Sequence, residues 1–239
     1  MSVLFEIQGD VATITLNRPA SRNALNLAMC EELLAAAQVA AADPSVRLVL
    51  VRSNGPVFCA GADLKERQGM NEAQVRQRRM KAFAAYAAIE ALPMPVIAVL
   101  EGPVVGSGCE IACACDFIVA TPAASFRAPE AIRGTVGATQ RLPRVLGKRL
   151  AKDLLLTGRT LSAQEAERHG LVSRVVAPEK LGAVIAEIAK TIVEAPALSL
   201  RLAKRCVDRS VDLDPQGALE TEIAAIEEQL ASGDWMGKR

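Results

Sequence analysis

The apolar positions along this chain change period several times, and each change marks a predicted element. Leu4 to Gln8 and Val11 to Leu16 carry strand-forming side chains in rough alternation, with Gly9-Asp10 between them as a two-residue hairpin turn. From Leu25 the spacing becomes helical through Leu27, Cys30, Leu33 and Leu34, until Asp43-Pro44 stops it. Val46 to Val51 is a buried strand candidate, closed by the turn Ser53-Asn-Gly-Pro56. Met70 to Leu92 predicts a charged, amphipathic helix. Its basic run Arg76, Arg78, Arg79 and Lys81 reads as a solvated face or as the neighbour of a ligand phosphate. Pro95 to Leu100, Asp116 to Val119 and Ala124 to Phe126 supply further short strands. Beyond Gln140 the pattern is helical at 144–156, 162–168, 179–194, 196–210 and 215–231, interrupted by a short strand at Val172 to Val176. Strands alternating with helices predict an α/β fold with crossover connections. The helical C-terminal portion is of the kind that covers a ligand or builds an oligomer.

The segment from Pro95 to Glu130 organises the rest. Its strand is followed by a turn-rich run, Glu101 to Gly108, and then by Cys109-Glu-Ile-Ala-Cys-Ala-Cys115, which is apolar almost all round and so belongs inside the protein. Glu110 is the only charge in that helix. An unpaired carboxylate in such a place is costly. It is either held by the free N–H groups of the helix start or kept for proton transfer; these residues alone leave both readings open. Phe58-Cys-Ala-Gly-Ala-Asp-Leu64 is similarly compact. It is a tight strand-to-helix turn, or a place where the small Ala60, Gly61 and Ala62 leave backbone N–H groups open to a ligand.

Composition narrows the field. The 239 residues suit one large domain or a domain with a helical extension, and 51% hydrophobic content supplies a sizeable core. A net charge of +1, with both signs spread along the chain, argues against nucleic acid or an anionic membrane as the main partner. The apolar runs fall short of a membrane span, and strand patterning from the first residues leaves no room for a targeting segment, so a cytoplasmic location is expected. The six cysteines lie mostly in apolar context and are expected to be reduced, buried thiols; no metal site is expected, since no CxxC pair occurs and the one histidine, His169, is remote from them.

The motifs, in order, resemble the crotonase superfamily, the enoyl-CoA hydratase/isomerase family. They are Leu16-Asn-Arg-Pro19 with Asn23-Ala-Leu25, Phe58 to Lys65, Pro95-Val-Ile-Ala-Val, Gly106-Ser-Gly-Cys-Glu-Ile-Ala112 with Cys115-Asp116, Ala128-Pro-Glu130, Thr139-Gln-Arg-Leu-Pro143, Leu156-Thr-Gly-Arg with Ser162-Ala-Gln-Glu-Ala166, and Gly170-Leu-Val172. Each piece is weak and the ordered set is strong. The resemblance implies a spiral core of repeated ββα turns over 1–190 and a C-terminal helical region, 191–239, used in assembly into trimers or dimers of trimers.

The resemblance also implies chemistry on acyl-CoA thioesters through an enolate-like state. It assigns the thioester oxygen to the backbone N–H groups of Ala62 and Ser107, the latter standing where the family usually has Gly. It matches Glu110 and Glu130 to the two glutamates of the hydratases: Glu110 to deprotonate water and Glu130 to supply the proton to Cα, titrating as a coupled pair. For Glu130 the structural alternative is a surface salt bridge with Arg127 or Arg133. The implied CoA path runs along Arg22, Ala24, Ala60, Asp63, Leu64, Lys65 and Gly106. No cofactor is implied beyond CoA, which is part of the substrate. This chain departs from the family pattern in two places. The link Ala131 to Ala138 is shorter and poorer in glycine than the family's loop beside the acyl pocket, and the chain stops at Asp234 to Arg239, where relatives usually continue with another helix.

Other chemistries fit less well. No Gly-x-Ser-x-Gly occurs and His169 sits in a helix-end signal, so a Ser-His hydrolase is disfavoured. No Gly-Lys-Ser/Thr follows the glycines at 102–108, so they are not a P-loop. What remains is an enoyl-CoA hydratase, an isomerase or other enolate enzyme on the same frame, or a CoA-thioester binding protein without chemistry.

Overall fold

A computed structural model describes residues 1–233; the terminal segment 234–239, to which the expectation of a shortened C-terminus refers, lies outside the described residues. β1 (Val3–Gln8) and β2 (Val11–Leu16) form the expected antiparallel hairpin, with Gln8 opposite Val11. β2 then pairs in parallel with β3 (Leu48–Ser53), β3 with β4 (Val96–Leu100), β4 with β6 (Phe117–Ala120) and β6 with β9 (Arg174–Val175), giving a six-stranded sheet. A second layer holds β5 (Pro103–Val105), β7 (Ser125–Arg127) and β8 (Leu161–Ser162). Isolated bridges from Cys59 to Val104 and from Leu25 to Ala62 carry this layer into the earlier part of the chain.

The chain therefore winds in ββα turns, each adding a strand to the large sheet, an extended piece to the small layer, and then a helix. β2, Leu25 and α1 (Leu27–Ala42) make one turn. β3, Cys59 to Ala62, α2 (Leu64–Arg67) and α3 (Glu72–Glu90) make the next. β4, β5 and α4 (Ser107–Cys113) follow, then β6, β7 and α5 (Arg141–Thr157).

Parallel strands are covered on both faces, which is why they read as unbroken Val/Ile/Leu runs. Val49, Val51, Val96 and Ala98 face the main core with α1 and α3, whereas Leu48, Leu50, Ile97 and Val99 face Leu181 and Ile188 of α7 (Pro178–Glu194). After α6 (Ala163–Arg168), where His169 is the C-cap as expected, the C-terminal helices α8 (Ala197–Ser210) and α9 (Pro215–Ser232) enclose a groove lined by Leu202, Val207, Ala218 and Leu219. They also present Val207, Leu219, Ile223, Ile226 and Leu230 outward.

Several boundaries differ from the sequence expectation. β5 lies inside the run read as turns, and β8 at the start of the segment read as a helix. Strands of three and two residues show no periodicity of their own. The expected strand 172–176 shortens to Arg174–Val175. The helix expected over 70–92 begins only at Glu72, where Asn71 and Gln74 form a capping box, and a separate single turn, α2, precedes it. α5 starts earlier than the pattern suggests and breaks at Gly147. The basic run of α3 is not one solvated face: Arg78 is buried, with its Nε 2.9 Å from Glu66 Oε2 and its Nη2 donating to the carbonyl of Leu25.

One buried polar side chain fixes the loop that leads into the second layer. Asn23 is fully buried in the left-handed region (φ 52°). Its amide oxygen accepts from Arg18 N–H at 2.7 Å, and its amide nitrogen donates to the carbonyls of Asn54 at 2.9 Å and Val57 at 2.8 Å. Asn tolerates this backbone region far better than Ala. Asn23→Ala is therefore expected to lower unfolding free energy by about 3 kcal/mol, read as a shifted denaturant midpoint with an unchanged slope.

Candidate active site

Two backbone segments meet at the centre of the molecule. Ala60-Gly61-Ala62 runs beside Val105-Gly106-Ser107. A Cβ added to Gly61 would lie 3.2 Å from the Val105 carbonyl oxygen, and one added to Gly106 would lie 3.8 Å from the Gly61 Cα. Gly106 also adopts φ 53°, ψ −109°, a region only glycine occupies readily. The bridge to Leu25 uses the carbonyl of Gly61 and the N–H of Asp63, which leaves the N–H of Ala62 without a backbone acceptor. Ser107 opens α4, and its N–H is likewise uncommitted, as expected for the first turn of a helix. Both residues line one small pocket of about 80 Å³, together with Glu110 and Glu130.

The two carboxylates face that pocket from different surroundings. Glu110 sits in the first turn of α4. Its Oε1 accepts from the Ala138 N–H at 2.7 Å and its Oε2 lies 3.0 Å from Nη1 of Arg141. Arg141 in turn reaches Glu90 at 2.5 Å and lies 5.8 Å from the Tyr86 ring centroid. Ala138 is held at φ 55° in the process. The glycine-poor loop thus still delivers a backbone donor to Glu110, at the cost of placing an alanine in the left-handed region.

Glu130 follows β7 and has neither of the surface salt bridges weighed for it. Arg127 donates from Nε to the Gly158 carbonyl at 2.6 Å, and among the described residues no cation is ion-paired to Glu130. Its Oε2 is buried without a hydrogen-bond partner. The side chain is threaded between glycines: a Cβ on Gly106 would come within 2.5 Å of Oε1, and one on Gly137 within 2.9 Å of Cγ. Burial pushes its pKa upward and the charge of Glu110 adds to this, against a backbone hydrogen bond and the more distant Arg133 and Arg79. An unpartnered, partly desolvated carboxyl beside an ion-paired one is the asymmetry that acid–base work on a single substrate requires.

The pocket opens into a larger groove of about 680 Å³, lined by Ala60, Leu64 and Gly106 and flanked by Arg67 and Arg133. Four residues expected along the ligand path are not part of either lining. Arg22 is exposed in a left-handed turn, and the Ala24 carbonyl accepts from Arg18. Asp63 caps α2 through Lys65 N–H and Glu66 N–H and pairs with Arg18 at 3.0 Å, so its carboxylate is already occupied in holding Ala62 in place. The Lys65 side chain is exposed beyond that cap.

Conversely, Arg79, Tyr86, Ala138 and Arg141 belong to the site and were not singled out as site residues by sequence. Tyr86 is buried and shares the pocket lining with Ser107. Arg141 lay in the motif Thr139 to Pro143 without a role. The spacing of Val75, Arg79, Ala82 and Tyr86 was the available signal for the pocket-facing side of α3. Cys59 and Cys113 are unsuited to nucleophilic work, because burial pushes both thiols up to about 12.

The model of the family described as enoyl-CoA hydratase/isomerase matches residues 6–235. A probable enoyl-CoA hydratase of Rhizobium meliloti is 39% identical over 236 residues, spanning 98% of this chain and 91% of the relative. An enoyl-CoA isomerase/hydratase of Mycosarcoma maydis is 35% identical over 233 residues, 92% of this chain and 85% of that protein. The crystal structure of an enoyl-CoA hydratase from Bacillus anthracis superposes with a TM-score of 0.95 at 37% identity, covering 99% of this chain and 93% of its own.

The surroundings of Glu130 generate a stability test. A raised folded-state pKa means that the folded protein keeps a proton the unfolded chain releases. Stability therefore falls as pH rises from the usual glutamate range, near 4.5, through the raised value. Glu130→Gln removes this loss. Its melting temperature should match the parent at about pH 4, exceed it progressively as pH rises through the raised value, and differ by a constant amount above it. Thermal unfolding across that range checks the sign.

Proposed function

The chain belongs to the enoyl-CoA hydratase/isomerase family, and within it we propose that this protein is a hydratase: it adds water reversibly and syn across the double bond of a 2-enoyl-CoA. The observation that carries the reading is the pair Glu110 and Glu130, which line one pocket in unequal environments. Glu110, with Arg141 as counter-ion and the Ala138 N–H fixing its rotamer, is the base that takes the proton from water as the oxygen attacks Cβ. Glu130, disposed to hold a proton, delivers it to Cα on the same face. In dehydration the roles reverse.

The N–H groups of Ala62 and Ser107 are the donors for the thioester oxygen as it gains negative charge. Each such donor is typically worth about 3 kcal/mol of barrier. The open groove at Ala60, Leu64 and Gly106 takes the pantetheine arm, with Arg67 and Arg133 available to phosphate. The outward apolar row Val207, Leu219, Ile226 and Leu230 is the face through which copies of the chain associate.

A double-bond isomerase on the same frame is the second reading. It is favoured by one observation: both oxygens of Glu110 already have protein partners, which leaves Glu130 as the single shuttling carboxylate. Loss of enoyl-thioester absorbance with crotonyl-CoA separates the two. Glu110→Gln and Glu130→Gln should each lower hydration by roughly 10²–10⁴-fold. The hydration rate of the parent should also fall as pH rises and Glu130 ionises. If Glu130→Gln alone is inactive and 3-enoyl-CoA is converted to the 2-enoyl isomer by Glu110→Gln, the hydratase proposal fails in favour of the isomerase.

A further inference from the structure

Beyond the reacting atoms, an acyl chain held at Ala62 and Ser107 must end against one face of α3, formed by Val75, Arg79, Ala82, Phe83 and Tyr86. That face carries a guanidinium, and the pocket beside it is only about 80 Å³, room for a few heavy atoms beyond the double bond. The charges around it do not balance. Arg78 is satisfied by Glu66, and Arg141 by Glu90 and Glu110. Arg79, half-buried, has one partner, the neutral hydroxyl of Thr135, and among the described residues no carboxylate is ion-paired with it. Glu130, the pocket's other acid, sits outside ion-pair range of it and is disposed to be neutral. Arg67 also lacks an ion pair, but it lies where the pocket meets the open groove. Seating a plain hydrocarbon tail against Arg79 would strip water from a cation without replacing its hydrogen bonds, which is the reverse of the apolar lining a fatty chain needs.

We infer that Arg79 is a specificity-determining residue that recognises a carboxylate at the far end of a short acyl chain, so that the favoured substrate is a dicarboxylic 2-enoyl thioester. The inference rests on the acyl-CoA reading of this site. A guanidinium presents five N–H donors in a fork that matches a carboxylate, and Thr135 occupies one. The hydrogen bond of Thr135 N–H to the Glu130 carbonyl, at 2.9 Å, fixes that hydroxyl relative to the catalytic loop, so Arg79 is oriented before substrate arrives.

The test compares 4-carboxybut-2-enoyl-CoA with its uncharged isostere 5-methylhex-2-enoyl-CoA. The parent should prefer the carboxylate by at least roughly tenfold in kcat/KM, mostly through KM. Arg79→Leu should abolish or invert the preference, and Arg79→Lys should retain part of it, a rescue that a merely structural role would not show. Calorimetric binding of the saturated analogues, 4-carboxybutanoyl-CoA and 5-methylhexanoyl-CoA, keeps the question separate from turnover. If the carboxylate binds better and neither enoyl thioester is hydrated, the recognition stands and the hydratase reading falls. If the parent does not favour the carboxylate in binding or turnover, or if Arg79→Leu keeps the preference, the inference is overturned.

Discussion

The site depends on two main-chain segments passing close to each other at Gly61 and Gly106, where a Cβ on Gly61 would lie 3.2 Å from the Val105 carbonyl oxygen. A side chain at Gly61 would crowd the Val105 carbonyl, one at Gly106 would collide with Glu130, and Gly106 has a backbone conformation that side chains oppose. From this contact the rest follows. It sets the N–H of Ala62 beside the first turn of α4, where free amides and the helix dipole already favour negative charge. It also leaves the slot beside Gly106 through which the Glu130 side chain passes. The surrounding architecture serves to hold the two segments in register. Asn23 pins one loop, Asp63 caps α2 immediately after Ala62, and the Cys59–Val104 bridge ties the layers together.

Around this frame, charge is distributed unevenly. Glu90, Arg141 and Glu110 form a chain of ion pairs ending on the pocket, while Glu130 has a buried oxygen with no partner. A protein optimised only for stability would not keep such an oxygen. Its persistence beside a paired carboxylate leaves the two acids in unequal surroundings. The same asymmetry extends to the cations: Arg78 and Arg141 are committed to protein carboxylates, whereas Arg79 meets only a hydroxyl. Neighbouring positions on one helix thus do different work, Arg78 locking α3 to the second layer and Arg79 turned toward the pocket that holds Glu110 and Glu130.

The sequence by itself determined the alternation of strands and helices, the hairpin at Gly9-Asp10, the buried helix bearing Glu110, and, through an ordered set of motifs, the family. These are local properties. Period, turn chemistry and the spacing of small residues act within a few residues of one another, so they are written along the chain. The resemblance carried by those motifs also brought out Ala62, Ser107, Glu110 and Glu130, since each lies inside one of them. Tertiary structure alone decided their partners. That Glu110 meets Ala138 and Arg141, that Arg78 is buried while Arg79 is not ion-paired, and that Asp63 is used up by Arg18 are contacts across 28 to 53 residues of chain. Nothing in a one-dimensional pattern fixes which of several arginines reaches a given carboxylate. Long side chains are assigned by the packing of the backbone that carries them, and that packing exists only once the turns are stacked.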